Sequence, residues 1–366
     1  MRVKVPEDHQ VSPFFLLFLF ESVLVGVGIL GYQHVLSQVT GNDSWMVVFI
    51  AGFCVQIILW MMFRLLERGG GDLITLHESL FGRWISGFLT LAAAGYFALS
   101  GLVVLRTYVE IVTVWMFPKM SYWMLSIIVA VVAYSFIAGG FRSIVGINFL
   151  SVIYTMPLLF TLFFPLKSAD YYNLLPYFNH SAADMLKGVQ QITLCYEGFE
   201  FLLMFYPFLK EPKQARKWGH YGIWTVIFLY ELVLIVPQVY FNEEELNHIV
   251  WPSLALWEIV QLPFMERFEY IGVTIWLFTI LPNLCLAIWS ASRATKRLFG
   301  FNQRVTVLIM LIAIVIAGYF FKNRQLINQL DMFQSLIGFY LLYAYIPILF
   351  IYQTILQKVR KRHGQG

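Results

Sequence analysis

The sequence predicts an all-α integral membrane protein: ten transmembrane helices in a single domain, arranged as a five-plus-five inverted repeat with the first and sixth helices broken. Three observations predict it. Hydrophobic residues occupy 59% of the 366 positions and charged residues only 13%, with a mean hydropathy of +0.71, so there is too little charge to coat a soluble core. Apolar runs of about 20 residues, the length that crosses a bilayer, recur at 12–37, 44–65, 82–117, 120–138, 143–165, 186–208, 218–241, 269–293, 304–322 and 334–357. The first and sixth runs are both interrupted near mid-span. Two halves of five spans, about 12–165 and 186–357, have opposite orientations, and that symmetry brings the two interruptions together at the midplane.

Basic residues set the orientation. Of 25 Lys and Arg, 18 fall on one face, from Arg2 and Lys4 through the Lys210–Lys217 cluster to Lys358–Arg362, six fall on the other, and Arg106 lies inside a span. The positive-inside rule places both termini in the cytoplasm. The net charge of +4 is thus a record of topology, and no basic-aromatic pattern points to nucleic acid. Arg2 and Lys4 precede an apolar run with no small-residue cleavage pattern, which predicts a retained span.

The first span carries Gly26-Val27-Gly28-Ile29-Leu30-Gly31 at its centre. Three glycines in six residues weaken a helix and strip bulk from its surface. Read alone, the motif fits either close helix packing or a discontinuous helix whose freed amides face a ligand. Glu21 sits about five residues earlier, at a depth where an acid costs about 2.5–3.5 kcal/mol unless paired, hydrated or protonated. It is expected to face the bundle interior.

The third span holds Tyr96 and Ser100 on one i,i+4 stripe, and Arg106 and Glu110, whose spacing predicts mutual neutralisation. The sixth repeats the anomaly of the first: Cys195-Tyr196-Glu197-Gly198-Phe199-Glu200-Phe201 puts two acids and a glycine where a lipid-facing helix carries Leu or Val. Irregular backbone at this depth requires protein or water around it. Glu231 is mid-span in the seventh helix. The acidic stretch from Asn242 to Glu269 contains a short apolar run, Val250 to Phe264, expected to cap the outer face without crossing. Thr279, Pro282 and Asn283 in the eighth span predict a gap in the hydrogen-bond ladder beside polar groups. Tyr343 and Tyr345 in the tenth lie too deep for an interfacial belt.

Catalysis and cofactors find no support. There is no P-loop, GxSxG or HExxH, and Gly69-Gly70-Gly71 lacks the following Gly-Lys-Ser/Thr. Cys54, Cys195 and Cys285 fall inside spans with no second Cys or His at ligand spacing, so neither disulfides nor a metal site is expected. No nucleophile-base pair suggests an enzyme.

The ten spans, the GVGIL segment, the CYEGFEFLLMFYPF sixth helix and the KEPKQARKWG loop after it resemble the spore germination receptor B subunits of endospore-forming bacteria, permease-like members of the amino acid-polyamine-organocation superfamily. The resemblance extends over residues 8 to 360. It implies a LeuT-like fold, residence in the spore inner membrane, assembly with A and C subunits, and sensing of a nutrient, typically an amino acid and in some members a sugar or nucleoside. It also implies that the amides of Val27, Gly28, Ile29 and Leu30 meet a ligand carboxylate. Carbonyls around Glu197, Gly198 and Phe199, with Glu197 as counter-charge, would take its ammonium, and Tyr96, Ser100 and Thr279 would complete the walls. Proton-coupled members carry a lysine in the fifth helix; Val145 to Phe164 has none, which leaves Glu21, Glu197, Glu200 and Glu231 as candidates for charge coupling. The alternative to a sensor is a proton- or sodium-coupled amino acid transporter.

Overall fold

The computed structural model describes residues 5–261, 263 and 267–362. Among these the chain is helical throughout, with one isolated backbone pairing, Val11 beside Leu209, that ties the N-terminal segment to the C-terminal end of the sixth span. Six helical stretches have the length and composition to cross a membrane: Tyr32–Gly69, Leu73–Trp115, Phe141–Leu166, Pro212–Tyr240, Phe268–Phe299 and Arg324–Val359. Four shorter apolar helices, Phe15–Leu24, Tyr122–Ala138, Phe199–Phe208 and Gln303–Gly318, fall where the sequence predicts the remaining spans, and the whole is consistent with ten.

The first span is split as its glycines require. Helix Phe15–Leu24 ends, a single 3₁₀ turn Val27–Leu30 follows, and helix Tyr32–Thr40 resumes beyond Gly31. The sixth span is split likewise. Helix Ala182–Gln191 tightens into 3₁₀ geometry at Ile192–Tyr196, Glu197 is extended, Gly198 adopts φ +120°, and Phe199–Phe201 begins the second half. The left-handed φ at Gly198 is one that only glycine adopts without strain.

Spans three and eight form the most extensive helix contact of the molecule, and the broken helices pack beside them. Close approach comes from glycine: at Gly101 a methyl group would stand 2.8 Å from Ile288 of the eighth span. The third span begins within the continuous stretch Leu73–Trp115, where Gly82 at φ 74° separates a short helix from the span proper. Asp72 caps that short helix, accepting from the Thr75 amide, and pairs with Arg297 (2.5 Å) and Arg293 (3.5 Å) at the end of the eighth span.

Several expectations need correction. Arg106 and Glu110 do not form an ion pair with each other. Arg106 donates to the Phe321 carbonyl at 2.7 Å, and Glu110 pairs with Arg324 of the tenth span at 2.8 Å, because both side chains point across the helix packing rather than along their own helix surface. The eighth span keeps its helical course through Pro282 from Phe268 to Phe299, so the gap left by the missing proline N–H does not break it. There Asn283 donates to the Thr279 carbonyl (3.0 Å) and to the Ser22 carbonyl of the first span (2.9 Å), so its amide clamps two helices. The tenth span starts ten residues before its apolar run, at Arg324, because that end lines a large cleft with Arg324, Asn328, Gln329 and Asp331. The predicted capping run forms the short helix Pro252–Glu258; Leu262, Phe264 and Glu266 of the predicted acidic-apolar stretch lie outside the described residues.

Candidate functional site

The two breaks face each other and touch. A methyl group at Gly28 would sit 2.6 Å from the Cys195 sulfur, and one at Gly198 would sit 2.9 Å from the Val23 carbonyl oxygen. Both glycines therefore have the packing role, and Gly198 has the conformational one as well. Tyr230 of the seventh span holds the breaks together: its hydroxyl lies 2.6 Å from the Leu24 carbonyl and 2.8 Å from the Cys195 carbonyl, two acceptors released by the interrupted ladders. The Tyr32 hydroxyl bonds the Tyr230 carbonyl in turn.

Between the breaks lies a cavity of about 50 Å³, lined by Val23, Leu24, Gly26, Val27 and Gly28 from the first span and Leu194, Glu197, Gly198, Glu200 and Phe201 from the sixth. Ser100, Val103 and Val104 of the third span, Asn283 and Ala287 of the eighth and Gln334 of the tenth close it. At about 10–15 Å³ for each water, the space holds roughly three to five waters or a very small ligand. The lining contains two carboxyl groups and no basic side chain.

The polar wall is one connected network. The Tyr96 hydroxyl donates to Glu200 at 2.9 Å and lies 3.4 Å from Glu197. The Gly198 amide donates to the other Glu200 oxygen at 2.7 Å. Gln334 reaches Glu197 at 2.8 Å and the Ser100 hydroxyl at 2.7 Å. Glu197 Oε1 and Gln334 Oε1 are buried and have no hydrogen-bond partner among the described residues. Both are acceptors, so the wall is short of donors. Gly338, one turn beyond Gln334, admits the Glu197 carboxylate against its bare backbone.

The predicted residues divide. Gly26, Val27, Gly28, Ser100, Glu197, Gly198 and Glu200 line the cavity, and Tyr96 stands behind it through its carboxylate contacts. Phe199 turns away to pack edge-on against Phe20, and Phe201 takes the lining place. Ile29 and Leu30 line a separate cavity together with Glu21 and Thr279, while Gly31 packs under the Val250 carbonyl. Glu231 is buried in neither cavity lining, and both its oxygens lack a partner among the described residues. Sequence reasoning missed Gln334, Gly338 and Tyr230. Each lies in an ordinary helical run, and only the packing of spans seven and ten against the sixth brings it to the breaks.

A vestibule of about 780 Å³ adjoins this site and shares Val27, Gly28 and Leu194 with its lining. Arg324 stands at its wall, over the Trp251 ring at 4.9 Å. On the other side the tenth span winds through a π-helical turn, Leu341–Tyr345, whose Tyr345 hydroxyl lies 2.6 Å from His77 of the short helix before the third span.

Residues 10–327 match the model of the family described as spore germination protein. The chain is 36% identical to spore germination protein GerQB of Bacillus cereus, over 98% of this chain and 99% of that one. It is 21% identical to spore germination protein B2 of Bacillus subtilis (strain 168), over 98% of each. Among solved structures it superposes on MhsT in complex with L-phenylalanine with a TM-score of 0.62 at 14% identity, over 94% of this chain and 88% of that one. That likeness shows the fold, which is the LeuT fold. The chain belongs to the spore germination protein family, as a permease-like membrane protein of the B-subunit type.

Proposed function

We propose that this chain is the nutrient-sensing subunit of a spore germination receptor, and that it binds its nutrient, an amino acid, in the cavity between the two breaks. The observation that carries the reading is the meeting of two discontinuous helices around a space whose wall offers unpaired acceptors. An ammonium supplies the donors that Glu197 and Gln334 lack. The 3₁₀ turn at Val27 and Gly28 presents the start of a short helix to the carboxylate. The L-phenylalanine in the MhsT structure supports the ligand class.

Binding shifts the bundle between two conformations, and its differential affinity for them biases partner subunits of the A and C type in the spore inner membrane. The small cavity marks the closed state of this cycle. A ligand larger than the smallest amino acids enters by separating the breaks.

The test is thermal stabilisation of the purified full chain in lipid nanodiscs by a panel of amino acids, with nucleosides and sugars as comparison. One amino acid at about 100 times its Kd raises stability by roughly 2.7 kcal/mol, and Glu197→Gln removes the effect. Stabilisation only by a nucleoside or sugar rejects the amino acid assignment, and stabilisation by nothing rejects the site. The likeness to a transporter favours a second reading, coupled amino acid uptake. Uptake of labelled amino acid by liposomes carrying this chain alone, driven by a proton or sodium gradient, decides for it.

A further inference from the structure

A second cavity, of about 80 Å³, borders the same break and shares no lining residue with the first. Glu21, Ser22, Val25, Ile29 and Leu30 face it from the first span, where Val23, Gly26, Val27 and Gly28 face the other. Its body is mostly carbon; beside the Glu21 carboxyl and the Ser151, Thr155 and Ser253 hydroxyls, three deeply buried polar groups line it: the Ser22 hydroxyl, the Thr279 hydroxyl and the Trp276 indole nitrogen. These residues are 2%, 1% and 5% exposed, and none of the three atoms has a hydrogen-bond partner among the described residues. Nearby Thr155 shows the usual solution, donating to the Ser151 carbonyl one turn back at 2.8 Å. Ser22 and Thr279 forgo it.

A buried polar group without a partner costs about 1–3 kcal/mol. Three around one cavity mark a place that something else completes. All three donate, and the indole only donates. The outer wall is the stretch Met156–Leu162 of the fifth span, wound as a 3₁₀ helix behind Pro157 and narrower than an α-helix, which leaves the space beside Trp276 unfilled. Met156 is exposed, and Leu159 and Leu162 are partly so, which opens the cavity toward the bilayer.

We infer that this cavity is a second ligand site, for a small lipid-soluble molecule with an apolar body and one hydrogen-bond-accepting end, such as a ketone or ester carbonyl. Its acceptor meets the Trp276 N–H and the two hydroxyls while its body fills the space among Val152, Leu158 and Val233. Apolar pockets with a few convergent polar groups are the ordinary form of small-molecule sites. Because the helix-one break is a wall of both cavities, occupancy here couples to the nutrient site.

Cyclohexanone is the probe, titrated into the full chain in nanodiscs, with tryptophan fluorescence as the readout because Trp257 and Trp276 both line the cavity and ketones quench indoles on contact. The expected result is a saturable component above linear collisional quenching. Leu159→Phe, which fills the space, abolishes it. Thr279→Val, which keeps the volume and removes one donor, weakens it about tenfold and remains informative where Leu159→Phe does not fold. Cyclohexane, which has no acceptor, competes at least tenfold less well than cyclohexanone. Purely linear quenching, the outcome for a cavity that holds water only, overturns the proposal. So does saturation that Thr279→Val leaves unchanged, or equal competition by cyclohexane. The readout involves no nutrient, so failure here is separable from failure of the nutrient site.

Discussion

Glu197 is held by contacts from the third and tenth spans, and its surroundings state what each neighbour is for. Gln334 fixes one oxygen at 2.8 Å, and Gly338 makes room for the carboxylate. A methyl group at Gly338 overlaps that carboxylate, so Gly338→Ala costs about 1–3 kcal/mol of overpacking despite the better helix propensity of alanine. Nutrient dose-response curves are expected to move at least tenfold to higher concentration. Gly95→Ala is the control, because nothing lies within 4 Å of the methyl position; thermal unfolding is expected to show unchanged or slightly higher stability. Tyr96 makes a separable contribution. Tyr96→Phe removes the 2.9 Å bond to Glu200 but leaves the Gly198 amide on the other oxygen. A half-satisfied buried acid follows, and the loss is about 1–3 kcal/mol by thermal unfolding in nanodiscs.

Breaks in helices are stable only where the freed backbone groups find partners, and at the scale of elements that is the work of the seventh span. Tyr230 takes carbonyls from both breaks with one hydroxyl, which donates to one at a time. Tyr230→Phe therefore loosens the junction without changing the cavity lining. Hydrogen exchange is expected to accelerate at residues 24–31 and 195–201 and to stay unchanged at the centre of spans three and eight. At one end of the bundle, the loop before the sixth span is fastened through Asp43. Burial opposes its charge, but the amides of Phe178, Asn179 and His180 and the His180 ring hold it below its ordinary value of 3.8. A depressed carboxyl contributes stability that is complete above the unfolded value and is lost as pH falls through the folded one. Protease cleavage at residues 171–181 is thus expected to stay slow from neutral pH down to about 4 and to rise only below. Asp43→Asn is expected to raise cleavage at neutral pH.

The architecture of the whole molecule was legible in the sequence because its two signals are global: apolar runs of bilayer length, and two interruptions five spans apart. The breaks at Gly26–Gly31 and Glu197–Gly198 announced themselves by residues that a lipid-facing helix does not use. What completes the site did not, since Gln334, Gly338 and Tyr230 become functional only through helix packing, and Thr279 lies a turn from Asn283, which takes the predicted lining place. Local spacing also misassigned Arg106 and Glu110, whose partners stand more than 200 residues away. Orientation is the global property that basic-residue placement predicts and that labelling tests directly. Cys195 and Cys285 are buried and Cys54 is half-buried within a span, so the native thiols give little background. Glu211, before the seventh span, and Glu244, after it, are both exposed. Spheroplasts carrying Glu211→Cys are expected to resist a membrane-impermeant maleimide until permeabilised, and those carrying Glu244→Cys to react at once. A cysteine placed after the tenth span, at Lys358, is expected to behave as Glu211→Cys does, because three further crossings separate it from position 211 only if the count is odd, whereas the four spans from seven to ten are even and return the chain to the same side. Labelling of Lys358→Cys from outside would therefore remove one span from the second half and break the inverted symmetry on which the facing of the two breaks depends.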